Sequence, residues 1–256
     1  MKTIVAFLLC SLTATIYADT EIKVVENEGK TQVISIQGDW LRVGKGGKDN
    51  DYLIGDLKQG LIYIVMPQQK KILKMEPSAE SAMNNEVQAE LKEKGTGPDI
   101  AGYATQEYIL FADKQSCGST FISKQVAKKE DINNMLTAVG DLNIETMIPE
   151  GLGAMLQGMM DPCSKAGMRV MKETTQLGLP LKVVDEKTKT GYEVLSIDET
   201  VKLDSKIFSL PAGYEHTTPQ KMMNDAVQEA MKQISPEQQK MIQDMLKQMG
   251  GQIQQQ

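Results

Sequence analysis

The stretch Asp99 to Lys124, DIAGYATQEYILFADKQSCGSTFISK, decides how the rest of this chain is read. Its apolar and β-branched residues predict two long strands joined by a tight polar turn, with Cys117 at the start of the second. Upstream, the pattern is one of short antiparallel strands. Downstream it is helical, until a last pair of strands near residues 181–200.

Working back from this hairpin, β-rich runs recur with a turn signal after each. They cover Thr20–Val25, Thr31–Gln37, Trp40–Val43, Tyr52–Gly55, Leu61–Met66 and Lys70–Met75. Runs of four to seven residues separated by Gly, Asp, Asn and Pro predict an antiparallel meander. Leu61–Met66 is apolar at every position, so it is expected to be covered on both faces. Pro77 then opens an expected helix over Ser78–Lys94, with Ala79, Ala82, Met83, Val87 and Leu91 on one side.

Working forward, Lys128–Val139, Pro149–Met160 and Cys163 to about Thr175 carry helical periodicity. Leu181–Glu186 and Gly191–Thr200 predict a final hairpin, and Ile207–Tyr214 closes the folded part. After Thr218-Pro219, a cap and a first-turn proline, the apolar stripe of Met222, Met223, Ala226, Val227, Ala230, Met231 and Ile234 predicts an amphipathic helix. Ser235 and Gln238 form a capping box for a second one, striped by Met241, Ile242, Met245, Leu246, Met249 and Ile253. A glutamine run ends the chain and is expected to be partly disordered.

The first eighteen residues have the form of a cleavable secretory signal: Lys2, an apolar run from Ile4 to Leu12, and a cleavage site after Ala18. Cys10 falls too early, and after too large a residue, for a lipoprotein signal. The mature chain is expected in the periplasm or outside the cell, with no membrane-spanning segment. The full chain has 28 basic and 34 acidic residues, net charge −6. Loss of Lys2 with the signal leaves 27 against 34, or −7. An acidic surface disfavours nucleic acid as a partner. Of three cysteines, cleavage leaves Cys117 and Cys163. In an oxidising compartment a disulfide between them is the expected state, two unpaired buried thiols being the alternative.

The chemistry-bearing motifs are few. There is no G-x-S-x-G elbow, no P-loop and no paired-glycine dinucleotide turn. His216 is the one histidine, in a loop. No His/Cys/Asp spacing fits zinc or calcium. No enzyme activity, cofactor or metal is expected. The 17 methionines are the compositional anomaly. Thioethers can bind Cu(I), but these alternate with Ile, Leu and Ala on the same stripes, as core packing and adaptable binding surfaces require.

Four short motifs, in order, carry a resemblance. They are Gly38-Asp39-Trp40-Leu41-Arg42, the strand Ile100-Ala101-Gly102-Tyr103 through Tyr108, Gly178-Leu179-Pro180-Leu181, and Phe208 through Leu210-Pro211 to Gly213-Tyr214. Over roughly residues 20–214 the chain resembles a family of secreted bacterial proteins of unknown function, whose architecture is similar to that of the periplasmic lipoprotein carriers LolA and LolB. The resemblance implies an α+β fold: a strongly curved antiparallel sheet, an incomplete barrel, with helices covering its concave face. It would span residues 19–214; this sequence departs from the carriers by a helical insertion at about 128–175 and by the helical tail 215–256. The implied function is non-enzymatic binding of a hydrophobic ligand, an acyl chain or a lipoprotein. Trp40, Ile62, Ile64, Tyr108 and Leu110 are the expected lining residues. Two alternatives stand beside it. One is a protein-interaction module docking a partner, or a second copy, through the stripe of Met222, Met223, Met231, Met241, Met245 and Met249. The other is Cu(I) binding by methionines.

Overall fold

The structure, a computed structural model, describes residues 19–26, 29–45, 50–77, 87–142, 144–147 and 159–232. The expected signal segment, the expected helix over Pro149–Met160 up to residue 158, and the expected second tail helix lie outside these residues.

Among the described residues, twelve strands form one open sheet. β1 (Asp19–Glu26), β2 (Thr31–Gln37), β3 (Trp40–Gly44), β4 (Tyr52–Asp56), β5 (Leu61–Met66) and β6 (Lys71–Met75) make the first meander. β7 (Ala89–Thr96), β8 (Gln106–Ala112), β9 (Gln115–Ser123), β10 (Leu179–Asp185) and β11 (Gly191–Val201) make the second. β1 pairs antiparallel with β11 and joins the two. A short β12 (Glu215–Thr217) adds to β6 in parallel, so the order runs β12-β6-β5-β4-β3-β2-β1-β11-β10-β9-β8-β7. The sheet is curved and unclosed, an incomplete barrel with β12 and β7 as its edges.

Four helices occur among the described residues: α1 (Glu130–Asp141), α2 (Pro162–Arg169), α3 (Met171–Leu177) and α4 (Pro219–Lys232). α1 starts with Glu130 and Asp131, acids that complement the positive end of the helix dipole. It buries Ile132, Met135 and Leu136, a three-four stripe. α2 is capped by Asp161, whose carboxylate accepts from the backbone N–H groups of Cys163 and Ser164 at 2.8 and 3.2 Å. Thr218 caps α4 in the same way, accepting from Lys221 N–H at 3.2 Å.

Three expectations are corrected. The first is the single helix over Ser78–Lys94: residues 78–86 lie outside the described set, but Ala89–Thr96 is edge strand β7. Leu91 sits opposite Leu110 and Ala89 opposite Ala112, while Glu90 and Lys92 alternate outward. The charges that imitate a helix surface protect a sheet edge from further pairing. Second, the hairpin's first strand begins at Gln106, not at Asp99. Ile100 and Tyr103 exchange two 2.9 Å backbone hydrogen bonds around Ala101 and Gly102, both at positive φ (52° and 82°). This separate turn drops Ile100 into the core. Third, the helix expected from Cys163 is broken at buried Val170 into α2 and α3.

The main core lies between α1 and the middle of the sheet. It gathers Ile22, Ile36, Ile132, Leu136, Leu181 and Val194. A second core lies on the opposite sheet face. There the chain after β11 crosses the back of the first meander, and Leu210 and Tyr214 pack on Ile54, Val65 and Ile72. Arg42 fastens this strap. Its Nη1 donates to the Ile207 carbonyl at 3.0 Å while the guanidinium lies 3.6 Å over the Tyr52 ring. The strap covers one face of β5, where Val65 is fully buried. On the other face Ile62 and Ile64 remain half-buried.

Candidate functional site

Side chains directly opposite one another across a sheet share a face. One row on the concave face therefore reads Thr20, Ile36, Leu41, Gly55, Ile62 and Met75. The next row reads Ile22, Ile34, Val43, Leu53, Ile64 and Leu73. A third begins with Val24 and Gln32. Two apolar rows thus cross the first meander side by side, a consequence of period-two alternation in every strand.

α1 lies over the end of this face where β1 begins. Asp131, in its first turn, sits beside Thr20, whose hydroxyl donates to Asp131 Oδ2 at 3.4 Å. Leu142, just past α1, faces the Gly60 turn between β4 and β5. Lys129 Nζ pairs with Glu199, which also accepts from the Tyr103 hydroxyl at 3.3 Å. These contacts tie α1 to β11 and to the Ile100–Tyr103 turn.

Beyond α1 the concave face carries two open cavities. The smaller, about 300 Å³, is floored by Ile22, Val24, Ile34, Tyr192 and Val194. The larger, about 570 Å³, is floored by Val43, Leu53 and Ile64. Gln32 lines both, so they adjoin. Together they form a trough with an apolar floor, polar at the end away from α1; no residue of α1 lines either cavity. Both volumes lie in the usual range for small-molecule sites.

Asp131 is 9 % exposed. Burial pushes its carboxyl above the usual carboxylate range, and the charges of Asp19 and Glu130 add to this, against the lowering effect of the Thr20 hydrogen bond. A raised native value means that the folded state binds the proton more tightly than the unfolded one. The contribution to stability is then full below about pH 4 and is lost as pH rises through the native value. Asp131→Asn, neutral throughout, is expected to gain stability on the native protein between pH 4 and 7. Urea unfolding at both ends of that range measures the gap; a gap that does not change with pH would contradict the assignment.

The five expected lining residues are not brought together. Ile62 and Ile64 lie on the concave face of the first meander, and Ile64 floors the larger cavity. Tyr108 and Leu110 lie on the second meander. Register from Tyr192 through Val183 and Thr120 places Tyr108 on the concave side as well. There α2 covers this limb, Leu110 packing with Cys163 and Ala166. The Tyr108 hydroxyl is buried without a hydrogen-bond partner among the described residues. Burial pushes its phenol up, and the Glu93 carboxylate adds to the shift. Trp40 lies on the opposite face, beside Arg42 and across from Asp56, 39 % exposed. Val24, Ile34, Val43 and Leu53 floor the trough and do not stand out in the sequence. Their signal is period-two alternation, which marks a face without saying which face stays open.

Cys117 and Cys163 form a disulfide that joins β9 to α2. Of the tail stripe, Met222 and Met223 are half-buried at the start of α4. Met231 lies in the last turn of α4, and Met241, Met245 and Met249 lie outside the described residues. Among the described residues no group of three or more His, Cys, Asp or Glu is placed to hold a metal ion. No helix among them is long and apolar enough to cross a membrane.

No family model and no curated protein matches the chain, so the resemblance to the lipoprotein carriers gains no family match. Solved structures of similar chain trace include an uncharacterized conserved protein from Thermus thermophilus, at 9% identity and TM-score 0.41, over 79% of this chain and 91% of that one. PNGF-II matches at 14% identity and TM-score 0.43 over 81% of this chain, which spans 32% of PNGF-II. MucB, in its complex with MucA from Pseudomonas aeruginosa, matches at 10% identity and TM-score 0.35, over 78% of this chain and 58% of MucB. At these identities and scores none of them bears on what this chain binds or does.

Proposed function

We propose that this chain is a non-enzymatic protein of the periplasm or the extracellular space that binds an acyl chain, free or attached to a lipoprotein, on the concave face of its sheet. The observation that carries the reading is the trough: two adjoining cavities over rows of apolar side chains that α1 leaves open. The driving force is burial, at about 0.8 kcal/mol for each CH₂ removed from water. The Cys117–Cys163 bond supports the compartment, since such bonds persist where the surroundings oxidise.

Protein purified from the periplasm without detergent is expected to carry lipid, detected by native mass spectrometry followed by extraction. Leu53→Glu places a charge on the trough floor at a half-buried position. Loss of a buried leucine contact is worth about 1.5–3 kcal/mol, so binding of a fluorescent acyl probe is expected to weaken roughly 10- to 100-fold. Protein free of lipid that also ignores the probe would overturn the proposal.

A further inference from the structure

One apolar row of the trough runs on to the edge of the sheet. Ile34, Val43, Leu53, Ile64 and Leu73 follow one another across β2 to β6, and all five are half-buried. The next position in the row is Thr217 of β12, paired with Leu73. α4 begins two residues later, at Pro219. The tail is therefore rooted at the end of the row that floors the larger cavity. α4 itself does not close the trough, since none of its residues lines either cavity. Met222 and Met223 are half-buried, but Ala226, the next on its stripe, is exposed.

Residues 233–256 lie outside the described residues. Their sequence carries a second apolar stripe, from Met241 to Ile253. At 1.5 Å per helical residue this stripe is about 18 Å long. From Ile34 to Leu73 the row crosses four strand spacings, about 19 Å. We propose that this second tail helix lies across the row, its Met, Ile and Leu side chains on Ile34, Val43, Leu53, Ile64 and Leu73, and that an acyl chain binds by displacing it. A helix from Pro236 to Ile253 is about 27 Å long, against about 21 Å for α4, so turned back after α4 it regains the sheet. Tethering gives it an effective concentration of order millimolar, which favours it over a second copy. Two copies also repel through a formal charge of −6 each. Thioether side chains adapt to an uneven floor and carry no polar group that would fix the helix there. Docking of the tail needs no ligand; its effect on acyl-chain affinity rests on the reading above.

The test uses the full-length mature protein with a benzophenone amino acid in place of Met245. On irradiation, crosslinks are expected at Leu53, Ile64 and Leu73, within one chain, and Leu53→Glu should remove most of them. Crosslinks confined to α4, crosslinks between two chains, or none at all would overturn the proposal. Circular dichroism of the Leu53→Glu protein separates a lost contact from a lost fold. A second measurement titrates dansyl-undecanoic acid into the native protein and into the Met245→Glu, Leu246→Glu double variant. A tail docked about nine-tenths of the time lowers apparent affinity about tenfold, so the variant is expected to bind the probe about tenfold more tightly. Equal affinities would show that the tail does not compete for the floor. If the probe binds neither protein while the floor crosslinks form, acyl-chain binding fails and tail docking stands.

Discussion

Replacing Cys117 and Cys163 together by alanine is expected to cost about 4 kcal/mol of stability. The two residues are separated by 46 positions. Without the bond, the unfolded chain regains the freedom of that whole loop, and in the chain-entropy treatment this dominates. For a chain of this size the melting temperature is expected to fall by roughly 8–16 °C. The fold itself should persist, because α2 is held to the sheet by more than sulfur: Ala166 is fully buried and packs with Leu110 and Ala112. Thermal unfolding of the native and the double-alanine proteins, each with and without reductant, measures the effect. Reductant should destabilise only the native protein, and equal melting temperatures would show that the bond does not constrain this loop.

Ile132→Ala is expected to cost about 2–5 kcal/mol. Ile132 is fully buried, in one cluster with Ile22, Ile36 and Leu136. The lost carbons leave a cavity between a helix and a sheet, two elements that cannot both move in to close it. The comparison that matters is with the charges at the ends of α1. Lys172 pairs with Asp141 at 3.0 Å, but both side chains are more than 60% exposed. Such a pair contributes at most about 1 kcal/mol. Burial therefore holds α1 on the sheet, and Lys172→Ala should change stability far less than Ile132→Ala. Urea unfolding ranks the two variants. Hydrogen exchange over Glu130–Asp141 tells whether the lost stability appears as local release of α1 or as global unfolding. Equal losses for the two variants would mean that α1 is held by its ends.

Much of the fold is legible in the sequence because strands announce themselves locally. Thr31–Gln37 and Leu61–Met66 run as expected to the residue, and most of the others differ by one or two at their ends. Their signals are alternation and turn residues, both readable within eight positions. β7 imitates a helix for the same reason. Its Glu and Lys residues are ordinary on a helix and also ordinary on an edge, and only a neighbouring strand distinguishes them. β12 is three residues long and held by β6, remote in sequence, so it has no local signal, and His216 reads as a loop residue although it lies in this strand. The disulfide is readable from cysteine number alone once one of three is assigned to a leader segment.

The site is less legible. Ile62 and Ile64 stand out through the apolar run that contains them. Trp40 stands out as the lone tryptophan, and it lies on the face that the strap crosses. One residue of register separates the two faces of a strand, and nothing within Trp40–Gly44 states which face α1 will cover.

By itself, then, the sequence determined the α+β class, the first meander in outline, the β8–β9 and β10–β11 hairpins as separate pairs, the position of α1, the cysteine pair and the amphipathic start of the tail. These follow from periodicity, caps and counts, all of short range. Only the tertiary structure decided that β11 lies between β1 and β10, that the strap crosses the outer face to bring β12 to β6, and that the polar ends of five strands meet beside an open apolar floor. Those are pairings between residues far apart in the chain, chosen by which arrangement buries most apolar surface while leaving no interior strand without a partner.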